Sequence, residues 1–264
     1  MSKKVVIGII AVAFLLGIGA ASALLQVSAT VYNVDDPTIW YSQVIKDGQL
    51  GDDDGLVNGE IDINSPYTPI PGFSVQGSFH TSKAAGLSLL TSAESTVINT
   101  NAYPVRAYVV VSDTDFTSPA TLASVTGSAT FTSATGSTMQ MGFYNDPGNV
   151  QGADLAFSDL TDFNANFPSL TPGDLIFEDG FTAADEDDSF SLNEDNIVVS
   201  DPSPYSMAMV FDFTLEGPGL MTGHAQSMQK NVASVPEFPT FALPAGMVIG
   251  LVGAILLIRR TKED

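Results

Sequence analysis

The residues whose types and spacing suit chemistry are carboxylates. Asp52-Asp53-Asp54-Gly55, followed by Asn58, Glu60 and Asp62, crowds oxygen donors into one short stretch. Alternating oxygen ligands led by Asp52 and Asp54 are the donor chemistry of Ca2+. The EF-hand register is not met. Gly55 at loop position 6 would put Leu50 at position 1 and Ile61 at position 12, where carboxylates are needed. A calcium site on a β loop and a solvated acidic turn both fit the run. The second run is Asp185-Glu186-Asp187-Asp188 with Glu194 and Asp195. Unpaired, these acids repel one another and loosen the loop; a bound Ca2+ would relieve them, so Asp185 and Asp187 form a second candidate ligand pair.

Other constellations are thinner. Asp113 and Asp115 flank Thr114 after the Val109-Val110-Val111 run, where two carboxylates suit acid–base work or a metal. An Asx-type turn at a strand end uses the same residues. His80 and His224, the two histidines, are too far apart in sequence to suggest a zinc site or a Ser-His-Asp triad. There is no phosphate loop, dinucleotide fingerprint or nucleophile elbow. Tyr32, Trp40 and Tyr41 are candidates for stacking on a sugar, with core packing the expectation for Trp40.

The elements that must position these groups read as strands. Phe73, Val75 and Phe79 alternate with Ser74, Gln76, Ser78 and His80, the period of a half-buried strand. Val125, Ala129 and Phe131 oppose Thr126, Ser128 and Thr130; Met139, Met141 and Phe143 oppose Thr138 and Gln140. Met207, Met209, Phe211, Phe213 and Leu215 make the longest stripe, with Asp212, Thr214 and Glu216 opposite. Ala107 to Val111 reads as a central strand buried on both faces. Thr30 to Val44 suggests a first strand pair, and the strand begun by Ile61 and Ile63 is expected to break at Pro66, Pro69 and Pro71. Turn residues between the stripes predict an all-β, antiparallel β-sandwich. Residues 145–200, rich in Asp, Asn, Pro and Gly, read as acidic loops carrying a few short strands or one helix near Leu155 to Leu160.

Charge and cysteine usage narrow the function classes. The chain carries a formal charge of −21, and between residues 24 and 234 only Lys46, Lys83, Arg106 and Lys230 are basic. Such a surface repels nucleic acid and anionic headgroups. With no cysteine, disulfides, thiol nucleophiles and Cys-ligated metals are excluded.

Both ends read as delivery signals. Lys3 and Lys4, the apolar run Val5 to Gly19 and the small residues Ala21-Ser22-Ala23 form a signal peptide over residues 1–23. The ectodomain is then residues 24–234. At the other end, Pro236-Glu237-Phe238 precedes an uncharged run from Phe241 to Ile258 and the basic Arg259, Arg260 and Lys262. At about 1.5 Å per residue, that run is long enough for one transmembrane helix. The basic cluster holds its far end in the cytoplasm.

This tail, residues 235–264, resembles a PEF-CTERM sorting signal, the archaeal relative of PEP-CTERM tails, on Pro236, Glu237, Phe238, the span and Arg259-Arg260. The resemblance implies a membrane partner, an archaeosortase-type processing enzyme that cuts near the motif, and transfer to another anchor. The ectodomain resembles the variable β-rich domains that precede such tails. The stretches that match are Asp52-Asp53-Asp54-Gly55 leading into Ile61 and Ile63, Val111 to Phe116, and Ser206 to His224. Together these readings predict a non-enzymatic cell-surface protein with a structural or adhesive envelope role, meeting copies of itself or other envelope components and no nucleic acid. A Ca2+-dependent glycan- or protein-binding module and a self-assembling filament subunit are the alternatives.

Overall fold

The computed structural model describes residues 25–153, 163 and 173–231. Among the described residues the chain forms twelve strands. They are β1 (Gln26–Asn33), β2 (Trp40–Lys46), β3 (Glu60–Ile70), β4 (Phe73–Ala84), β5 (Leu87–Asn99) and β6 (Val105–Phe116), then β7 (Ala120–Thr132), β8 (Thr138–Asp146), β9 (Asp174–Thr182), β10 (Asp187–Asp201), β11 (Tyr205–Leu215) and β12 (Gly219–Lys230). They build two six-stranded sheets, ordered β2-β1-β6-β11-β8-β9 and β10-β7-β12-β5-β4-β3, with every pairing antiparallel. This is the expected antiparallel β-sandwich. The signal peptide, the span 241–258, the basic tail and the helix expected near Leu155 lie outside the described residues.

The alternating stripes become the shared core because period-two side chains from both sheets point inward. Phe73 and Phe79 from β4, Val125, Ala129 and Phe131 from β7, Met139, Met141 and Phe143 from β8, and Met207, Met209, Phe211, Phe213 and Leu215 from β11 join one buried cluster. An aromatic run crosses it: Phe131 stacks on Phe181 at 5.8 Å, and Phe181 on Phe190 at 5.7 Å. β6 is buried on both faces, as its β-branched run predicts. Val105, Ala107 and Val111 enter the main core. Tyr108 and Val110 enter a second, outer cluster with Ala153, Phe163, Ala208 and Val210.

Two expectations change. The prolines do not end β3, which runs through Pro66 and Pro69 with register shifts between Ile63 and Ile70. As an edge strand of the second sheet it has one unpaired side, where a missing N–H costs little. Its end is the Pro71-Gly72 turn, where Gly72 takes φ 76° as a type II corner requires. The stretch 145–200, expected to be mostly loop, contributes the last residues of β8, all of β9 and all but the last residue of β10. Its acids sit on edge strands with one solvated face, so only alternate apolar residues such as Phe190 and Leu192 are needed inside. Acidic edges, with a bulge between Glu194 and Ile197, also discourage pairing with another sheet.

Candidate functional site

The outer face of the first sheet places polar side chains of β1, β6, β11, β8 and β9 in two neighbouring rows. The pairing register aligns Tyr32 with Arg106, Arg106 with Thr214, Thr214 with Thr138, and Thr138 with Thr182. The adjacent row runs from Tyr108 through Asp212 and Gln140 to Gly180. Between the rows lies an open groove of about 510 Å³. Gly180 keeps its β9 wall low, because it presents no side chain.

The floor of the groove is internally neutralised. Arg106 donates Nε to Asp212 Oδ1 at 2.9 Å and Nη2 to Asp212 Oδ2 at 2.7 Å, and Nη1 reaches the Tyr32 hydroxyl at 3.3 Å. The Asp212 carboxylate raises the Arg106 pKa further, so the guanidinium stays charged at any working pH. Gln140 Nε2 donates to Glu178 at 3.1 Å, leaving its carbonyl for other donors. Rings flank the polar rows. Half-buried Tyr32, Trp40 and Tyr144 pack against the outer cluster, where Phe163 meets Tyr32 at 6.3 Å and Tyr108 at 5.8 Å. Burial raises the pKa of Tyr108 and Tyr144, so both remain neutral phenols. Hydroxyls, an amide and a closed ion pair beside ring faces suit a polyhydroxylated, uncharged ligand.

Tyr32 and Trp40 are opposite each other in the register and share this outer face, whereas Tyr41 turns into the main core. The three rings therefore do not form one platform. Inside, the hydroxyls of Tyr41, at 2.6 Å, and of Tyr67 both donate to Gln43 Oε1. That clasp stands beside an apolar cavity of about 80 Å³ lined by residues such as Val27, Ile63, Phe79, Met141 and Phe213.

The carboxylates singled out in sequence are placed as follows. Asp52 is buried and accepts from Gly48 N at 2.8 Å and Asp62 N at 3.1 Å. Exposed Asp54 accepts from Leu56 N and Asn58 Nδ2, both at 2.8 Å. Asp47, missed in the sequence reading, is buried at the base of the loop and accepts from Asn58 N at 3.1 Å and Gly59 N at 2.8 Å. Asp185 and Asp187 are exposed at the β9–β10 turn. That turn is tied to the β7–β8 turn by Ala134 N to Glu186 O at 3.1 Å and Gly136 N to Ala183 O at 2.9 Å. Asp188 accepts from Ala184 N and Ser189 N, which hold its carboxyl below the usual range. Among the described residues no group of three or more His, Asp or Glu is arranged to hold a metal ion.

Asp113 and Asp115 do not act together. Asp113 is fully buried between the sheets and meets Lys83, and burial pushes its carboxyl above the usual range. Asp115 trades hydrogen bonds with Asn149, its N–H to Oδ1 at 2.8 Å and Asn149 Nδ2 to its Oδ1 at 2.6 Å. Further polar ties cross the sandwich: Tyr205 donates to Ser88 at 2.8 Å, and Gln229 donates to Asn145, which donates to Asp201. The signal for these was a polar residue in an inward register, such as Asn145 after Met139, Met141 and Phe143. His80 pairs with Glu60 at 3.3 Å, and His224 with Ser128 at 3.0 Å. The sorting residues Pro236, Glu237, Phe238, Arg259 and Arg260 lie outside the described residues.

No family model and no curated protein matches the chain. Solved structures with similar strand arrangements include the carbohydrate-binding module TmCBM61 in complex with β-1,4-galactotriose, at 8% identity and a TM-score of 0.32, covering 61% of this chain and 90% of that one. Another is the C-terminal family 22 carbohydrate-binding module of Clostridium thermocellum Xyn10B, at 13% identity and a TM-score of 0.27, covering 65% and 98%. A third is the C-terminal CBM6 of LamC from Zobellia galactanivorans, at 9% identity and a TM-score of 0.22, covering 63% and 96%. Likenesses this distant carry no argument about ligand, and the site stands on its own geometry.

Proposed function

We propose that this protein is a surface-attached, non-enzymatic β-sandwich that binds a neutral glycan on the outer face of its first sheet. The observation that carries the reading is the pair of cross-strand rows from Tyr32 to Thr182 and from Tyr108 to Gly180. Sugar hydroxyls pair with the Thr138, Thr182 and Thr214 hydroxyls and the Gln140 amide, while ring faces at Tyr32, Trp40 and Tyr144 take C–H surface. The net charge of −21 favours neutral over anionic polymers. Asp212, gripped by the Arg106 fork, serves as an acceptor and positioner rather than a general acid. A glycosidase needs a second carboxyl held opposite the first across the scissile bond; this reading instead gives Glu178 the role of orienting Gln140, from which it accepts.

Export by residues 1–23 and sorting at Pro236, Glu237 and Phe238 place the sandwich outside the cell, held at the membrane through an archaeosortase-type enzyme. The envelope role follows: the sheet face grips neighbouring polysaccharide, and the anchor exchanged for the tail holds the chain. Calorimetry of the full chain with neutral oligosaccharides tests the reading. Saturable heat that falls at least tenfold in affinity on Gln140→Ala supports it; heat unchanged by that substitution, or none with any neutral sugar, overturns it.

A further inference from the structure

The inner faces of the two sheets bring a partly exposed amine against a fully buried carboxyl. Lys83 on β4 belongs to the second sheet and Asp113 on β6 to the first. Lys83 Nζ lies 2.9 Å from Asp113 Oδ1 and 2.9 Å from Oδ2. Asp113 is fully buried, and 27% of the Lys83 side chain is exposed. Although Oδ2 is that close, it makes no hydrogen bond of acceptable geometry. The Thr114 N–H donates to Oδ1 at 2.7 Å, and the Thr81 hydroxyl also reaches the carboxyl. Nζ stands over the Phe116 ring at 5.4 Å, and Phe116 stacks on Tyr205 at 5.6 Å.

We propose that Lys83 and Asp113 condense to an isopeptide amide that staples one sheet to the other. In the ion pair the ammonium hands one proton to the carboxylate, leaving an amine beside a carboxylic acid. The Nζ lone pair forms a bond to Cγ, and the carbonyl electrons move onto Oδ1, which the Thr114 N–H stabilises. A proton passes from Nζ to the Oδ2 hydroxyl, with the Thr81 hydroxyl placed to relay it. The Cγ–Oδ2 bond breaks and one water leaves. An ammonium and a carboxylate thus become an amide and water, with no oxidant or other reactant required.

Three features drive the step. Holding the groups at reacting distance replaces an intermolecular encounter, worth effective molarities of about 10⁵–10⁸ M. The buried Asp113 carboxylate carries a desolvation cost that a neutral amide does not. Burial raises the Asp113 pKa, which favours the uncharged acid needed for attack. The chain has no cysteine, so this amide would supply the covalent tie between sheets that a disulfide cannot.

Tryptic mapping of the purified full chain tests the proposal. Cleavage after Lys46, Lys83, Arg106 and Lys230 gives linear peptides 47–83, 84–106 and 107–230 when Lys83 is free. Condensation blocks the cut at Lys83 and yields one branched species, 47–106 joined to 107–230, lighter than its parts by one water. Asp113→Asn should give the same branched species with loss of ammonia instead. Lys83→Arg should restore the cut and lower the melting temperature. Quantitative recovery of linear 47–83 from the unsubstituted protein overturns the proposal whatever the variants do, and leaves the glycan reading untouched.

Discussion

Consider the Arg106–Asp212 pair removed one side at a time and then together. The contact is bidentate at 2.9 Å and 2.7 Å, with side chains 33% and 17% exposed. Fully exposed pairs couple by about 0.2–1 kcal/mol, and breaking a fully buried pair costs about 3–5 kcal/mol. A half-buried fork falls between, and after discounting for solvent screening the expected coupling is about 1.5–2.5 kcal/mol. The assay is a double-mutant cycle by urea unfolding of the parent, Arg106→Met, Asp212→Ala and the double variant. At about 1 M salt, where the Debye length shrinks to about 3 Å, at least half of the coupling should persist, because the charges touch and are partly desolvated. Coupling below about 0.5 kcal/mol, or its disappearance in salt, would refute a preorganised groove floor.

Three further outcomes follow from the geometry. Asp47→Ala removes a buried acceptor from Asn58 N and Gly59 N and should cost about 2–4 kcal/mol in urea unfolding; chelation with EDTA should leave the melting temperature unchanged, and a fall would show a bound cation. Burial raises the Asp201 pKa above the ordinary 3.8, so the folded state binds the proton more tightly than the unfolded one. Its contribution to stability should therefore grow as pH falls from the raised value toward 3.8, at about 1.4 kcal/mol per unit of elevation, and Asp201→Asn should remove that slope from the melting profile. Asp113 adds a slope of the same sign only where it has not condensed. Mass spectrometry of the mature protein from membranes should find a C-terminus near Pro236-Glu237-Phe238 with added lipid mass; an intact Arg259-Arg260 tail would rule out processing.

Much of the sandwich was legible in the residues themselves. The Met207 to Leu215 stripe needs one buried face and becomes β11, packed by β6 and β8 on either side. Ala107 to Val111 lacks a polar alternate, and the outer cluster around Phe163 supplies the second cover that pattern demanded. β9 and β10 were hard to see because an edge strand has half its surface in water and tolerates Asp and Asn at most positions. The groove was illegible for another reason. Arg106, Asp212, Gln140 and Gly180 are distant in sequence, and only strand order and register bring them side by side. Asp113 stood out by type, but its partner Lys83 lies on the opposite sheet, 30 residues away, and nothing local announces the pairing.

The central claim is that the outer face of the first sheet is the binding surface. A two-dimensional NMR titration of the protein with a neutral oligosaccharide reads that face directly. The account predicts saturable shifts confined to the amides of Thr138, Gln140, Gly180, Thr182, Asp212 and Thr214 and to the Trp40 indole. Shifts clustered instead on the second sheet, or no shifts with any neutral sugar, would contradict it.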